Sequence, residues 1–473
     1  MQYVSTRGTA MGPYQDVIVE GLAADGGLAV PESLPQIGDR LEELRALTYP
    51  ELAATVIGLF ATDVPPTELA RIAHESYNTE KFRSADIVPL KQINGGMTLV
   101  GLSEGPTLAF KDLAMQFLGG ALDYVLTQRG EVLNIVGATS GDTGSAAEYA
   151  IRGRDTLSAI ILSPQGRMSD FQRAQMYSLL DDNIHNVAVE GNFDDCQHLV
   201  KLVSQDLDFK RKHHIGAVNS INFGRISAQI TYYVWAWLRA TDAVSATDRA
   251  GFEVSFAVPS GNFGNILSGH YARSMGVPIR RLVLATNENN VLHEFFSTGI
   301  YRPRSAEQTP ATSSPSMDVS KASNLERFVY EVVGRDPERT AALWRELDET
   351  GTFDLSSELA RFSEEYGIVS GTSTHAHRIH TMRATFEDAG VVIDPHTADG
   401  VYVAAFFVEP AVPMLVLETA LPEKFAATVT EALGEAPVVS AEHQALLALP
   451  QRTTDIANDE AALRAFIEAN AKH

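Results

Sequence analysis

Apolar residues in this chain fall into short, dense runs separated by stretches at helical spacing. From about residue 86 onward the two alternate with little interruption. Runs at 99–102, 132–136, 157–162, 186–189, 215–218, 252–258 and 281–285 read as buried strands, and residues 110–126, 144–151, 195–207, 225–239 and 265–274 read as helices between them. Strands that alternate with helices in this way form parallel sheets with helices on both faces, so the fold class is α/β. The segment before residue 90 has a different character. A glycine-rich start at 21–35, with a turn at 25–27 and a short strand at 28–31, precedes helical spacing at 41–60 and 68–78, which reads as a small N-terminal capping domain. Residues 296–317 are rich in Ser, Thr, Pro and Arg without periodicity and predict a loop over the surface or near an active-site mouth. Residues 320–366 predict a helical insertion, 381–390 a helix, 395–400 a turn and 414–417 a strand, and the tail beyond 426 a C-terminal helical cap. Three parts follow: 1–90, 91–425 with a smaller mobile subdomain at about 130–225, and 426–473.

Composition narrows the class of function. The 473 residues suffice for two or three domains, and 45 % hydrophobic with 21 % charged is ordinary for a soluble globular chain. Sixty acidic against 37 basic residues give a formal charge of −23, a field that repels nucleic acid and anionic membrane surfaces. The single cysteine, Cys196, excludes a disulfide framework and a cysteine-rich metal site. The histidines at 213–214, 375 and 377 lack ligand spacing, so no metal is expected. The N-terminus has no apolar signal core and no apolar run reaches the roughly 20 residues of a membrane span, which points to the cytoplasm.

Three motifs carry chemistry. In Pro-Thr-Leu-Ala-Phe-Lys-Asp at 106–112, Lys111 opens a helix beside Phe110, Leu113 and Met115, where partial desolvation favours the neutral, nucleophilic amine. Gly-Ala-Thr-Ser-Gly-Asp-Thr-Gly at 137–144 follows a buried strand and opens a helix, a strand–turn–helix geometry that aims backbone N–H groups and hydroxyls at an anion. Pro-Ser-Gly-Asn-Phe-Gly-Asn at 259–265 repeats that grammar and makes a phosphate cradle. A desolvated lysine with a phosphate nest is what pyridoxal 5′-phosphate needs. The chain therefore reads as a pyridoxal-phosphate enzyme.

With the stretches at 3–8, 21–28, 219–222 and 394–398, these motifs resemble the threonine synthases, from the first residues to past residue 390. The resemblance implies pyridoxal-phosphate fold type II, the tryptophan synthase β-like fold of two open α/β sheets. It implies conversion of O-phospho-L-homoserine and water to L-threonine and phosphate, by a monomer or homodimer of the bacterial and fungal subgroup, which lacks an S-adenosylmethionine-binding extension. Lys111 resembles the Schiff-base lysine that also moves protons at Cα, Cβ and Cγ. Gly261, Asn262, Phe263, Gly264 and Asn265 resemble the cofactor phosphate cradle, and Thr397 the hydroxyl at the pyridine nitrogen. Asp142, where related families often have Asn, joins the cofactor set. Ser140, Gly141 and Thr143 resemble the substrate carboxylate loop. Arg167, Ser169 and Arg173 are the candidates for the substrate phosphate, with Lys91 and Arg225 as further cations. The resemblance further implies that phosphate leaves from Cγ and water adds at Cβ, with the released phosphate serving as its base. A phospholyase releasing 2-oxobutyrate and a catalytically silent binding protein are the alternatives.

Overall fold

The computed structural model describes residues 1–139, 141–217, 219–249 and 251–473, and leaves aside the side chains of Asn94, Ala306 and Glu442. Two open sheets organise it. The six-stranded sheet runs Ile368–Thr372, Ile279–Thr286, Val254–Pro259, Met414–Leu417, Met97–Val100, Leu90–Gln92, parallel except for the last pair. The five-stranded sheet runs Thr454–Ile456, Ile184–Val189, Leu157–Pro164, Leu133–Ala138, Ile215–Gly216, parallel throughout. Val254–Pro259 and Leu157–Pro164 are buried at every position, as strands covered by helices on both faces must be. Two open α/β sheets of the expected type are thus present.

Two helices join the sheets. Phe223–Ala240 is buried along nearly its whole length and packs on both Lys111–Arg129 and Gly264–Ser274. Lys111–Arg129 lies against Asp142–Ile151 so closely that a Cβ on Gly119 would meet the Ala150 carbonyl oxygen at 2.5 Å, a crossing that only glycine permits. Before them, a three-stranded sheet, in the order Ala10–Gly12, Tyr3–Ser5, Ala29–Pro31, and the helices Tyr49–Gly58 and Pro66–Ser76 form the N-terminal unit. Tyr77 donates to the Leu113 carbonyl at 2.6 Å and so ties this unit to the helix of Lys111. Arg7 grips Glu326 through two bonds of 2.9 Å and ties it to the helix Leu325–Val332 in the insertion.

Two expectations change. Residues 395–400 are not a turn but the start of the helix Pro395–Ala404. Pro395 occupies the first helical position and Asp394 caps it, accepting from the N–H groups of His396 and Thr397, which is a helix start rather than a loop. The C-terminal tail is not purely helical. Thr454–Ile456 adds a parallel edge strand to the five-stranded sheet, and Leu463 and Ile467 of the last helix enter the core beneath that sheet. Among the described residues no helix is long and apolar enough to cross a membrane.

Candidate active site

Loops leaving the carboxyl ends of parallel strands are where open α/β sheets build their sites. Here the loops after Met97–Val100, Leu133–Ala138, Val254–Pro259 and Met414–Leu417 meet around two cavities, of about 80 and 570 Å³. Both are walled in part by Lys111, Thr143, Ser220, Arg225, Asn262 and Ser316.

Lys111 is held at the cavity by its preceding loop. Asp112 accepts from the Thr107 N–H at 2.7 Å and from its hydroxyl at 2.8 Å, and the left-handed Leu108 (φ 58°) reverses the chain between them. The Phe110 N–H donates to the Thr419 carbonyl at 3.0 Å, and Lys424 Nζ donates to the Thr107 carbonyl at 2.7 Å. No hydrogen-bond or ion-pair partner of the Lys111 amine is found among the described residues. Burial lowers its pKa to about 8; the Asp142 charge resists that shift, and the Arg225 and Lys424 charges add to it.

The 261–265 turn presents backbone rather than side chains. Phe263 has φ 64° at the N-cap of Gly264–Ser274, and its ring is sunk between Phe296 and Phe328, each 5.7 Å away centroid to centroid. The Asn265 amide oxygen accepts from Tyr232 at 2.7 Å and Tyr233 at 2.9 Å, which fixes the orientation of that side chain in the wall of the smaller cavity. What remains for an anion is the set of first-turn N–H groups that a helix leaves unpaired. The group expected from sequence fits this wall: a nest of N–H donors, a desolvated amine nearby, and a buried guanidinium whose Nη1 lacks a partner. That guanidinium is Arg225, which is 4 % exposed and has its pKa lowered to about 10 by burial.

Asp142 takes a different place from a simple cofactor contact. Its carboxylate meets Lys424 Nζ at 2.6 Å and accepts from the Ser316 hydroxyl at 3.0 Å. Burial pushes the carboxyl pKa up, but the Lys424 and Lys111 charges outweigh it and hold the carboxyl well below its usual range. Ser316 N–H donates to His396 Nε2 at 3.0 Å, and His396 Nδ1 faces Asp394 at 2.7 Å, so His396 carries its proton on Nδ1. Of the two places expected for the 296–317 loop, its end lies at the cavity, with Pro315, Ser316 and Met317 among the wall residues.

Not every residue expected in the site is brought to it. Gly141, Asp142 and Thr143 line the larger cavity; Ser140 lies outside the described residues. Thr397 does not line either cavity: it is fully buried, its hydroxyl bonds to Asp394, and it accepts from the N–H of Thr419, which does line the smaller one. Arg167, Ser169 and Arg173 line neither cavity. Ser169 caps the helix Asp170–Tyr177, and Arg173 pairs with Asp170 at 3.1 Å on the surface. Lys91 pairs with Glu104 at 3.1 Å and is also absent from both walls. Lys424, Thr419 and Ser316 are the positions that sequence reasoning missed. The one signal for the first two is location: they follow the apolar strand Met414–Leu417 at its carboxyl end.

Three family models match the chain: threonine synthase N terminus over residues 2–77, pyridoxal-phosphate dependent enzyme over 102–377, and threonine synthase, C-terminal, over 397–467. A threonine synthase of Methylobacillus glycogenes is 50 % identical, with 99 % of each chain covered, and that of Corynebacterium glutamicum is 48 % identical, with 99 % of this chain and 98 % of the relative covered. The crystal structure of pyridoxal-phosphate-bound threonine synthase from Brucella melitensis superimposes with a TM-score of 0.94 at 39 % identity, covering 100 % of both chains.

Proposed function

The chain belongs to the threonine synthase family of pyridoxal-phosphate-dependent enzymes, and on that premise we propose that it converts O-phospho-L-homoserine and water to L-threonine and phosphate, acting in the cytoplasm on a small-molecule substrate. The observation that carries this reading is one cavity wall holding a desolvated amine, a backbone N–H nest and a buried guanidinium without a partner at Nη1.

Bound pyridoxal phosphate would supply the electron sink that makes protons at Cα and Cβ removable. The rest falls to side chains. Gly261, Asn262, Phe263 and Gly264 would hold the cofactor phosphate through backbone N–H groups, and Lys111 would anchor the cofactor covalently. Freed from it, an amine with a pKa of about 8 is neutral often enough near pH 7 to take the Cα proton and then the Cβ proton. Gly141 and Thr143 at the start of Asp142–Ile151 would seat the substrate carboxylate. Arg225, buried beside both the nest and Thr143, would take the second phosphate, the one leaving from Cγ. Thr419 would stand at the cofactor ring, and Thr397 would position it from behind through the bond to its N–H.

Incubating the holoenzyme with O-phospho-L-homoserine tests the reading. Threonine and phosphate in equal amounts, lost together in Lys111→Ala, is the expected result. Phosphate accompanied by 2-oxobutyrate would make the protein a phospholyase instead.

A further inference from the structure

A separate cavity, of about 510 Å³, shares no wall residue with the two around Lys111. It lies where four parts of the molecule meet: the end of the N-terminal unit at 79–83, the loop of Gly105, Pro106 and Leu108, the carboxyl end of the helix Asp142–Ile151, and His443 of the C-terminal helix Ala441–Leu447. In a chain of net charge −23, its wall gathers Lys81, Arg83, Arg152 and Arg154.

The arginines are steadied by carboxylates outside the wall. Arg152 pairs with Asp181 at 3.0 Å, Arg154 with Asp123 at 3.4 Å, and Arg83 with Glu423 at 3.6 Å, while Glu80 is the one carboxylate residue of the wall itself. Lys81 differs, having no ion-pair partner among the described residues. Burial lowers its pKa and the Arg154 charge lowers it further, against weaker opposite pulls from Glu75 and Glu80. Two cations thus repel each other across a half-buried space, an arrangement that an anion between them would relieve. The remaining wall suits an organic body. Phe82, Leu108 and Tyr149 offer apolar surface, and the buried amide oxygen of Gln116 has no hydrogen-bond partner, leaving it to accept from a ligand hydroxyl or ammonium. The volume falls within the range of small-molecule sites, well above what a bare oxyanion fills.

We propose that this cavity is a second anion site, distinct from the catalytic one, for a small phosphorylated metabolite that carries a hydrogen-bond donor. Its position gives occupancy a route to the chemistry. The Gly105 loop runs directly into Lys111, and the helix that ends beside Arg152 begins with Asp142 in the catalytic wall. A ligand spanning loop and helix end fixes their relative position, and so favours one setting of Lys111 against Asp142.

Crystals of the holoenzyme soaked in tungstate, a heavy-atom stand-in for phosphate, test the site by anomalous scattering. An anomalous peak within reach of Lys81 and Arg154 is expected, reduced about tenfold in affinity in Lys81→Gln, since one charge-assisted hydrogen bond is lost. Lys81 has no ion pair to break, so the variant keeps its fold, and an unchanged cofactor absorbance spectrum checks that it does. No peak in the wild type, or a peak of equal occupancy in Lys81→Gln, overturns the proposal. A peak confined to the catalytic cavity overturns it as well.

Discussion

Replacing Asp142 by Asn leaves the shape of the side chain and its bond from the Ser316 hydroxyl, and removes only the charge. The consequence follows from the surroundings. Asp142 and Lys424 are 4 % and 1 % exposed and 2.6 Å apart; the other hydrogen-bond acceptors of the Lys424 ammonium among the described residues are neutral, the Thr107 carbonyl at 2.7 Å and the Gln175 amide at 3.4 Å, and the buried Asp112 carboxyl feels its charge from farther off. Removing one partner of a buried pair strands the other charge, at a cost of about 3–5 kcal/mol. The carboxyl of Asp142 is held below its usual range in the fold, so its stabilising effect is complete above the unfolded value and is lost only as pH falls through the folded one; at neutral pH the whole cost is visible. Lys111 responds too. Asp142 is the charge that holds its pKa up, so in the variant that pKa falls below about 8. Denaturant unfolding of wild type, Asp142→Asn, Lys424→Met and the double variant gives the coupling directly. Amine-reactive labelling of the apoprotein across pH gives the Lys111 midpoint. The double variant is expected to lose less than the sum of the singles, with the midpoint moving down. Additive losses, or a midpoint that moves up, would refute the buried-pair argument.

Three further outcomes follow. Lys111 has an ordinary lysine value of 10.5 when unfolded and about 8 in the fold, so the unfolded chain binds the extra proton between those values, and apoprotein stability rises with pH across that window. Labelling should show a midpoint near 8; a midpoint near 10.5 would mean that the amine is solvated. Gly144→Ala places a Cβ 2.0 Å from Thr139 Cγ2 and must displace the turn that carries Gly141 and Thr143. Overpacking of that kind costs about 1–3 kcal/mol of stability, and displacing the carboxylate seat should separately raise KM for the substrate roughly tenfold or more, a loss of about 1.4 kcal/mol in binding, while cofactor absorbance persists; an unchanged KM would take this turn out of the substrate site. Arg225→Gln should lower kcat/KM by about a hundredfold or more, and Arg167→Gln and Arg173→Gln by less than about threefold, because only the first removes a buried cation from the cavity wall. Steady-state kinetics decide it, and an Arg173→Gln as damaged as Arg225→Gln would return the substrate phosphate to the surface loop.

What could be read from sequence and what could not divide along physical lines. Val254–Pro259 and Leu157–Pro164 are buried on both faces, and burial on both faces writes itself as a dense apolar run broken only by serines. Ile368–Thr372 and Thr454–Ile456 are edge strands with mixed composition, and pairing with a sheet assembled from distant segments, rather than their own pattern, makes them strands. The same division runs through the site. The nest at 261–265 and the turn at 141–144 are local devices whose glycines and polar residues sit together in the chain, whereas Lys424 meets Asp142 only because two loops from different sheets converge. Nothing local distinguishes such a lysine from a surface one. Arg225 is the instructive case, because it stands in Phe-Gly-Arg-Ile-Ser-Ala-Gln-Ile-Thr, the opening of a helix whose residues are mostly apolar or small and carry no other charge until Arg239. A helix buried along nearly its whole length has no solvent side to which a guanidinium can turn, so its charge must be satisfied inside the protein or by a ligand. Arg167 and Arg173 stand among Gln, Ser and Asp, which supply solvent exposure and, for Arg173, an ion-pair partner in Asp170. For a cation in an acidic chain, the polarity of the flanking face is thus a better guide to anion binding than proximity in sequence to a glycine-rich turn.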